Sequence, residues 1–314
     1  MIQVKNLIKN YGDVNAVRDI NFEVNDGEIL GFLGANGAGK STTLKVMTGY
    51  LAATSGNIFV DDLNIRDHSL EIRKKIGYLP ELNPLYQEMR AFDLLKFTGQ
   101  IRGIQGKAFR QALSRVLEEC GLHGMIHKLV GELSKGYKQR LGLASAMLHD
   151  PEILILDEPV TGLDPNQIVE IRKLIKKLGK KKMVIISSHI LQEIEATVDR
   201  IIIIHEGSIV ANGTSQDLMS GFQGKTQLTL GIQNATDSGI SDMAEKIPNL
   251  NIINTKTENG SFVITMDYDK TADPRESIFK YAVDNKWVIL EMSPQKVQLE
   301  DLFRTLTLEG GVDA

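Results

Sequence analysis

Residues Gly34 to Thr42 read GANGAGKST, and this stretch limits the possible folds more than any other in the chain. Its first eight residues fit G-x-x-x-x-G-K-[ST]. The apolar run EILGFLG comes before it and the helical pattern STTLKVMTG after it. Glycines at 34, 37 and 39 let the backbone curl until several N–H groups point at one anion. Gly34, Asn36, Gly37, Ala38, Gly39, Lys40, Ser41 and Thr42 therefore form a candidate phosphate cradle. Lys40 is placed to reach β- and γ-phosphates as a point charge, and the Ser41 hydroxyl to ligate Mg²⁺.

A loop of this kind needs a parallel sheet behind it, and the rest of the pattern supplies one. Short apolar runs (EILILDE, KKMVIISSH, DRIIIIHEG) alternate with helical segments, as buried parallel strands do. Phe92 to about Leu148 is helical in period. The expected fold is α/β over 1–216, with an antiparallel β subdomain and a helical insertion at about 84–150. A linker is expected at 217–225. Beyond it, 226–314 reads β-α-β-β-α-β, with an Asn-Gly turn inside NIINTKTENGSFVITMD, and predicts a small ferredoxin-like α+β domain.

A phosphate loop also needs a carboxylate at the end of a neighbouring strand to hold hydrated Mg²⁺. Asp157 follows the apolar run Ile153–Leu156 and fits. Glu158, next in line, is the candidate general base for an attacking water. His189 ends another apolar run, at the strand edge that faces the ligand crevice of an α/β sheet.

Leu133–Arg140, LSKGYKQR, opens a second helix with a serine and a glycine. Free N–H groups and the helix dipole favour an anion there too. One chain with one phosphate loop thus carries two anion-binding helix starts.

In order and spacing, the P-loop, LSKGY, LILDEP, TGLDP and SSH resemble the motifs of ABC-transporter ATP-binding subunits, over residues 1 to about 216. The whole chain, with GYLPELNPLY and the closing LEDLFRTLT, is similar to the single-domain ATPases of bacterial ABC exporters, the gliding-motility and sodium- or drug-extrusion type. The resemblance implies ATP and Mg²⁺ as ligands and ATP hydrolysis as the activity. It implies a head-to-tail homodimer in which Ser134 and Gly136 of one copy close over the ATP of the other. It implies that Tyr11 stacks on adenine, that Asp164 links the two sites, and that His189 senses the γ-phosphate. Lys135 and Tyr137 stand where the family pattern LSGGQ has a glycine and its glutamine. Glu81 stands where the family usually has a glutamine near Mg²⁺ and water. A carboxylate there can ligate the metal but repels the γ-phosphate.

Composition narrows the alternatives. With 36 basic and 40 acidic residues the net charge is −4, which argues against a general affinity for nucleic acid. The resemblance leaves a second reading, a soluble ABC ATPase acting on DNA or ribosomes; those usually carry two ATPase domains in one chain or long coiled coils, and neither pattern is present. Cys120 is the only cysteine, which fits a reducing compartment. The start MIQVKNLIKNYG has no secretory-signal pattern. No apolar run approaches the roughly 20 residues of a spanning helix. Together with the resemblance, which implies separate transmembrane permease subunits, these features predict a cytoplasmic protein held by those subunits at the inner face of the membrane.

Overall fold

The computed structural model describes residues 1–221, 225–258, 260–269, 272–295 and 299–308. The chain divides into two compact units. One is built on Met1–Ser215 and includes Thr305–Leu308 of the described residues; the other is built on Gln216–Arg304.

Among the described residues of the first unit, two sheets sandwich a helix. β1 (Ile2–Tyr11) and β2 (Val14–Val24) form a long hairpin. They lie in an antiparallel sheet with β4 (Ser55–Val60) and β5 (Leu63–Asn64), in the order β2-β1-β4-β5. The second sheet runs β10-β9-β3-β8-β7-β6. Its members are β3 (Ile29–Leu33), β6 (Ile76–Leu79), β7 (Ile153–Leu156), β8 (Met183–Ser188), β9 (Arg200–His205) and β10 (Ser208–Gly213). All pairs are parallel except β9 with β10. Every residue of β3, β7 and β8 is buried. A strand covered on both faces reads as an unbroken apolar run, which is why these segments do not alternate.

α1 (Lys40–Met47) packs between the sheets through Leu44, Val46 and Met47. There they join Val4 and Leu7 of β1 with Phe32, Ile155, Ile185 and Ile202 of the parallel strands, and the rings of Phe22 and Phe32 lie 5.7 Å apart. α2 (Ser69–Lys75) precedes β6. The helical insertion holds α3 (Ala91–Ile101), α4 (Gly106–Cys120) and α5 (Lys135–Met147), with short 3₁₀ turns at His123–Met125 and Val130–Glu132. α6 (Pro165–Gly179) and α7 (Leu191–Ile194) follow β7 and β8.

The segment expected as a linker, 217–225, is not all extended chain. α8 (Ser215–Gly221) occupies its first part, β11 (Lys225–Gln233) begins at its last residue, and 222–224 lie outside the described residues. Asp217 in the first turn of α8 complements the helix dipole, a signal that the flanking serines and glycines hide.

The second unit pairs β11 with β13 (Ser261–Asp269) and β14 (Val288–Gln295), and β13 with β12 (Leu250–Glu258), all antiparallel. The order β12-β13-β11-β14 is that of the ferredoxin-like split β-α-β arrangement. Glu258 pairs with Ser261 across the expected two-residue turn, of which Asn259 lies outside the described residues. α9 (Asp237–Lys246) and α10 (Arg275–Asp284) cover this sheet through Ile240, Met243 and Ile278. α11 (Leu299–Leu308) ends the described chain.

Candidate active site

A cleft of about 520 Å³ opens at the carboxyl ends of the parallel strands, where α/β sheets bind ligands. Asn36, Gly37, Gly39, Lys40, Ser41 and Thr42 form one wall; Ala16, Glu81, Glu158, Thr161 and His189 form the rest. Gly39 is the hinge of the loop. Its φ is +105°, and a methyl group there would overlap the Ala16 carbonyl oxygen, so only glycine fits. It caps α1 without a side chain, which leaves the first N–H groups of the helix free for an anion.

Lys40 is 5% exposed, and its ammonium is already engaged. Nζ donates to Gly34 O at 2.7 Å and to Ala35 O at 3.2 Å, and lies 3.5 Å from Glu158 Oε1. Behind the loop, Asp157 is fully buried. Ser41 Oγ donates to its Oδ1 at 3.1 Å and Ser187 Oγ to the same oxygen at 2.6 Å. Asp157 Oδ2 is buried with no hydrogen-bond partner. An ionised carboxylate oxygen in that position is costly unless something positive meets it. Tyr78 Oη is buried nearby, outside regular hydrogen-bond geometry but close enough to Asp157 to interact with its carboxylate. Burial and the Asp157 charge hold this phenol above its ordinary range.

Glu158 is 6% exposed and sits at φ +50°, a left-handed conformation that costs a glutamate on the order of 1 kcal/mol. Contacts on every side hold it there. Its N–H donates to Ser187 Oγ at 2.9 Å. Its Oε2 accepts from Thr161 Oγ1 at 3.0 Å and lies 2.9 Å from His189 Nδ1. The arrangement can hold a polyanion against Lys40 and the α1 N-terminus, with a fixed carboxylate facing it.

The structure thus brings the P-loop, Glu81, Glu158 and His189 to one cleft, with Asp157 beneath. Gly34 and Ala38 shape the loop without lining the cleft. Tyr11 stands apart, 47% exposed at the end of β1, with Lys9 Nζ 5.1 Å from its ring centroid. Ser134, Gly136 and Asp164 do not line the cleft either. Ser134 caps α5, accepting from Tyr137 N at 3.4 Å; Asp164 caps α6, accepting from Gln167 N at 2.9 Å. Sequence reasoning missed Ser187, Thr161 and Ala16. The SSH tripeptide contains Ser187, but nothing in it tells which serine turns toward Asp157.

Comparison with known proteins agrees with this geometry. The family described as "ABC transporter" matches residues 17–161, and one described as "AAA domain, putative AbiEii toxin, Type IV TA system" matches 129–195. The linearmycin resistance ATP-binding protein LnrL of Bacillus subtilis is 34% identical over 313 residues, 98% of each chain. The bacitracin transport ATP-binding protein BcrA of Enterococcus faecalis is 33% identical over 316 residues, 99% of this chain and 98% of that protein. BcrA of Bacillus licheniformis is 45% identical over 212 residues, 67% of this chain and 68% of that protein. Among solved structures, an ATP-binding subunit of an ABC transporter superposes with a TM-score of 0.64 at 31% identity, over 71% of this chain and 93% of that one. A dimeric bacterial ABC transporter cassette gives 0.62 at 26% identity, over 68% and 98%. The chain belongs to the ATP-binding subunits of ABC transporters and is an ATPase of that family.

Proposed function

We propose that two copies of this chain pair head to tail and hydrolyse Mg-ATP to drive export through separate membrane permease subunits. One observation carries this reading: of the two anion-binding helix starts, only that of α1 borders the cleft. The start of α5, with Ser134 and Gly136, lies outside it. A two-fold pairing brings the α5 of each copy to the cleft of the other, so that both sites are completed at once. Asp164 then lies on the loop linking the two sites, and Tyr11 at the adenine end.

The residues present suit Mg²⁺. The buried, unpartnered Asp157 Oδ2 and the Ser41 hydroxyl would hold it, with Glu81 on the cleft wall. When bound, the ion neutralises charge on the β- and γ-phosphates. Within the chain itself, Lys40 exchanges its loop carbonyls for phosphate oxygens. Glu158 takes a proton from the attacking water, and His189 keeps Oε2 oriented from the side that faces the γ-phosphate.

Export is supported by the resistance and transport proteins that match this chain over nearly its full length. No helix among the described residues is long and apolar enough to cross a membrane, and we assign the pathway to other chains. On this reading the chain works at the inner face of the membrane, on cargo of the bacitracin or linearmycin kind.

Mixing two inactive variants tests the pairing. Lys40→Ala lacks a working P-loop and Ser134→Arg a working α5 start. Together they leave one intact composite site, so the mixture should regain ATP-dependent dimerisation in light scattering. Full hydrolysis by a strict monomer would reject the pairing. For export, a strain lacking the chain should become more sensitive to bacitracin or linearmycin; unchanged sensitivity to both would reject that cargo class.

A further inference from the structure

Glu81, which lines the cleft, sits on a short span of chain between two fixed ends. At one end is Leu79, the last residue of β6, whose carbonyl accepts from Asp157 N at 2.8 Å. At the other is Asn83. Prolines at 80 and 84 fix their own φ and hold the residue before each, Leu79 and Asn83, out of the helical region. Most of the freedom of the span therefore lies at Glu81 and Leu82.

The far end is anchored on α5. Asn83 Nδ2 donates to Lys138 O at 3.2 Å. That oxygen lies within the helix, where it also serves the N–H four residues on, at Gly142. A carbonyl has two lone pairs, so it can take a second donor provided nothing covers it. Gly142 supplies the opening. It is buried, and a methyl group there would overlap Asn83 Nδ2 and stand 2.7 Å from Asn83 Cγ. Among the described residues, no other hydrogen bond joins 80–86 to another element; the next along the chain runs from Gly131 N to Gln87 O at 2.9 Å.

We propose that Asn83 is a positioning residue for Glu81: its amide, seated on Lys138 O through the gap at Gly142, pins the outer end of the span to α5 and so holds the Glu81 carboxylate at the cleft. β6 fixes where the span begins, and Asn83 fixes which way it runs. The consequence for nucleotide rests on Glu81 meeting the phosphates and Mg²⁺; the anchor itself does not.

The test uses the full chain and two readouts. The first is chemical denaturation, without nucleotide, of Asn83→Ala, Gly142→Ala and the double variant. Asn83→Ala gives up one half-buried hydrogen bond and should still fold. Gly142→Ala favours the helix in itself but drives a methyl group into the amide. It should therefore lower the denaturation midpoint of the wild-type chain, and lower it much less in the Asn83→Ala background. Equal losses in the two backgrounds overturn the anchor. The second readout is equilibrium ATP binding with and without Mg²⁺. Asn83→Ala should bind metal-free ATP about fivefold more tightly, the scale of one unit charge at roughly 4 Å in water, and gain correspondingly less from Mg²⁺. In a Glu81→Gln background the same substitution should change neither affinity, because the charge that it releases is gone. A purely structural role would shift both backgrounds alike, so an equal shift, or none in either, overturns the positioning role. If Glu81→Gln itself titrates as wild type, Glu81 does not meet the nucleotide and the positioning role falls with that reading, while the denaturation result still decides the anchor.

Discussion

Ser187 Oγ donates to Asp157 Oδ1 at 2.6 Å while accepting the Glu158 N–H at 2.9 Å. One buried hydroxyl on β8 thus fixes two consecutive acids at the end of β7. Ser187→Ala leaves a buried carboxylate oxygen and a buried amide each short of a partner. Losing such a partner costs about 1–3 kcal/mol. We expect that loss in chemical denaturation of the nucleotide-free chain, together with weaker Mg²⁺-dependent ATP binding. A stability change below about 0.5 kcal/mol would show that neighbours replace the hydroxyl.

Glu158→Gln should lower ATP hydrolysis by about 10²-fold or more, the scale of a lost general base, while ATP still binds. The amide keeps the shape and the Thr161 contact. It removes the negative charge facing Lys40 at 3.5 Å, so nucleotide affinity should hold or rise. The checks are phosphate release and equilibrium nucleotide binding; turnover near the wild-type rate refutes the role.

Glu81 lines the cleft opposite the P-loop. Like charges interact strongly in a partly dry site, by on the order of a few kcal/mol at close range. A carboxylate here repels metal-free ATP and is relieved when Mg²⁺ arrives. Glu81→Gln should therefore bind metal-free ATP more tightly and gain less from added Mg²⁺. Superimposable titrations of the two proteins would mean that Glu81 does not meet the nucleotide.

His149, just before β7, places Nε2 3.1 Å from Ile76 O and leaves Nδ1 buried and unpartnered. Burial, then the Arg102 charge, pushes its pKa down from 6.5 to about 4. The folded chain thus binds fewer protons here than the unfolded chain between these values. Its contribution to stability is complete above pH 6.5 and declines as pH falls toward 4. Thermal melts should show wild type losing stability over this window more steeply than His149→Gln, which carries no titrating ring. Parallel slopes would exclude His149 as the source.

The parts of the site legible in the sequence are those whose chemistry admits few residue types. Gly39, Lys40, Ser41 and Asp157 are such positions, and unbroken apolar strands bracket them. The parallel sheet was legible for the same reason: its buried strands are almost wholly apolar, and the two serines that end β8 are buried with hydrogen-bond partners. Ser187 was not, because a serine in a strand has no period that marks its partner. The helix at Ser215–Gly221 was missed where glycine and serine at its end resemble a spacer. Tyr11 was legible only through the family resemblance: its ring is half exposed at the tip of a hairpin beside Lys9, and nothing in its local pattern marks a stacking role.

The engagement of Lys40 with its own loop has a further consequence. Its ammonium already faces three oxygens, two from its own loop and one from Glu158. A newcomer has to offer more than that trio to draw it away. A lone inorganic phosphate brings one small cluster of oxygens and no tether. A triphosphate chain brings several along its length, and the free amides of α1 grip the same tail. Any ligand that draws the ammonium from these oxygens has to replace all three, which favours a chain of phosphates over a single one.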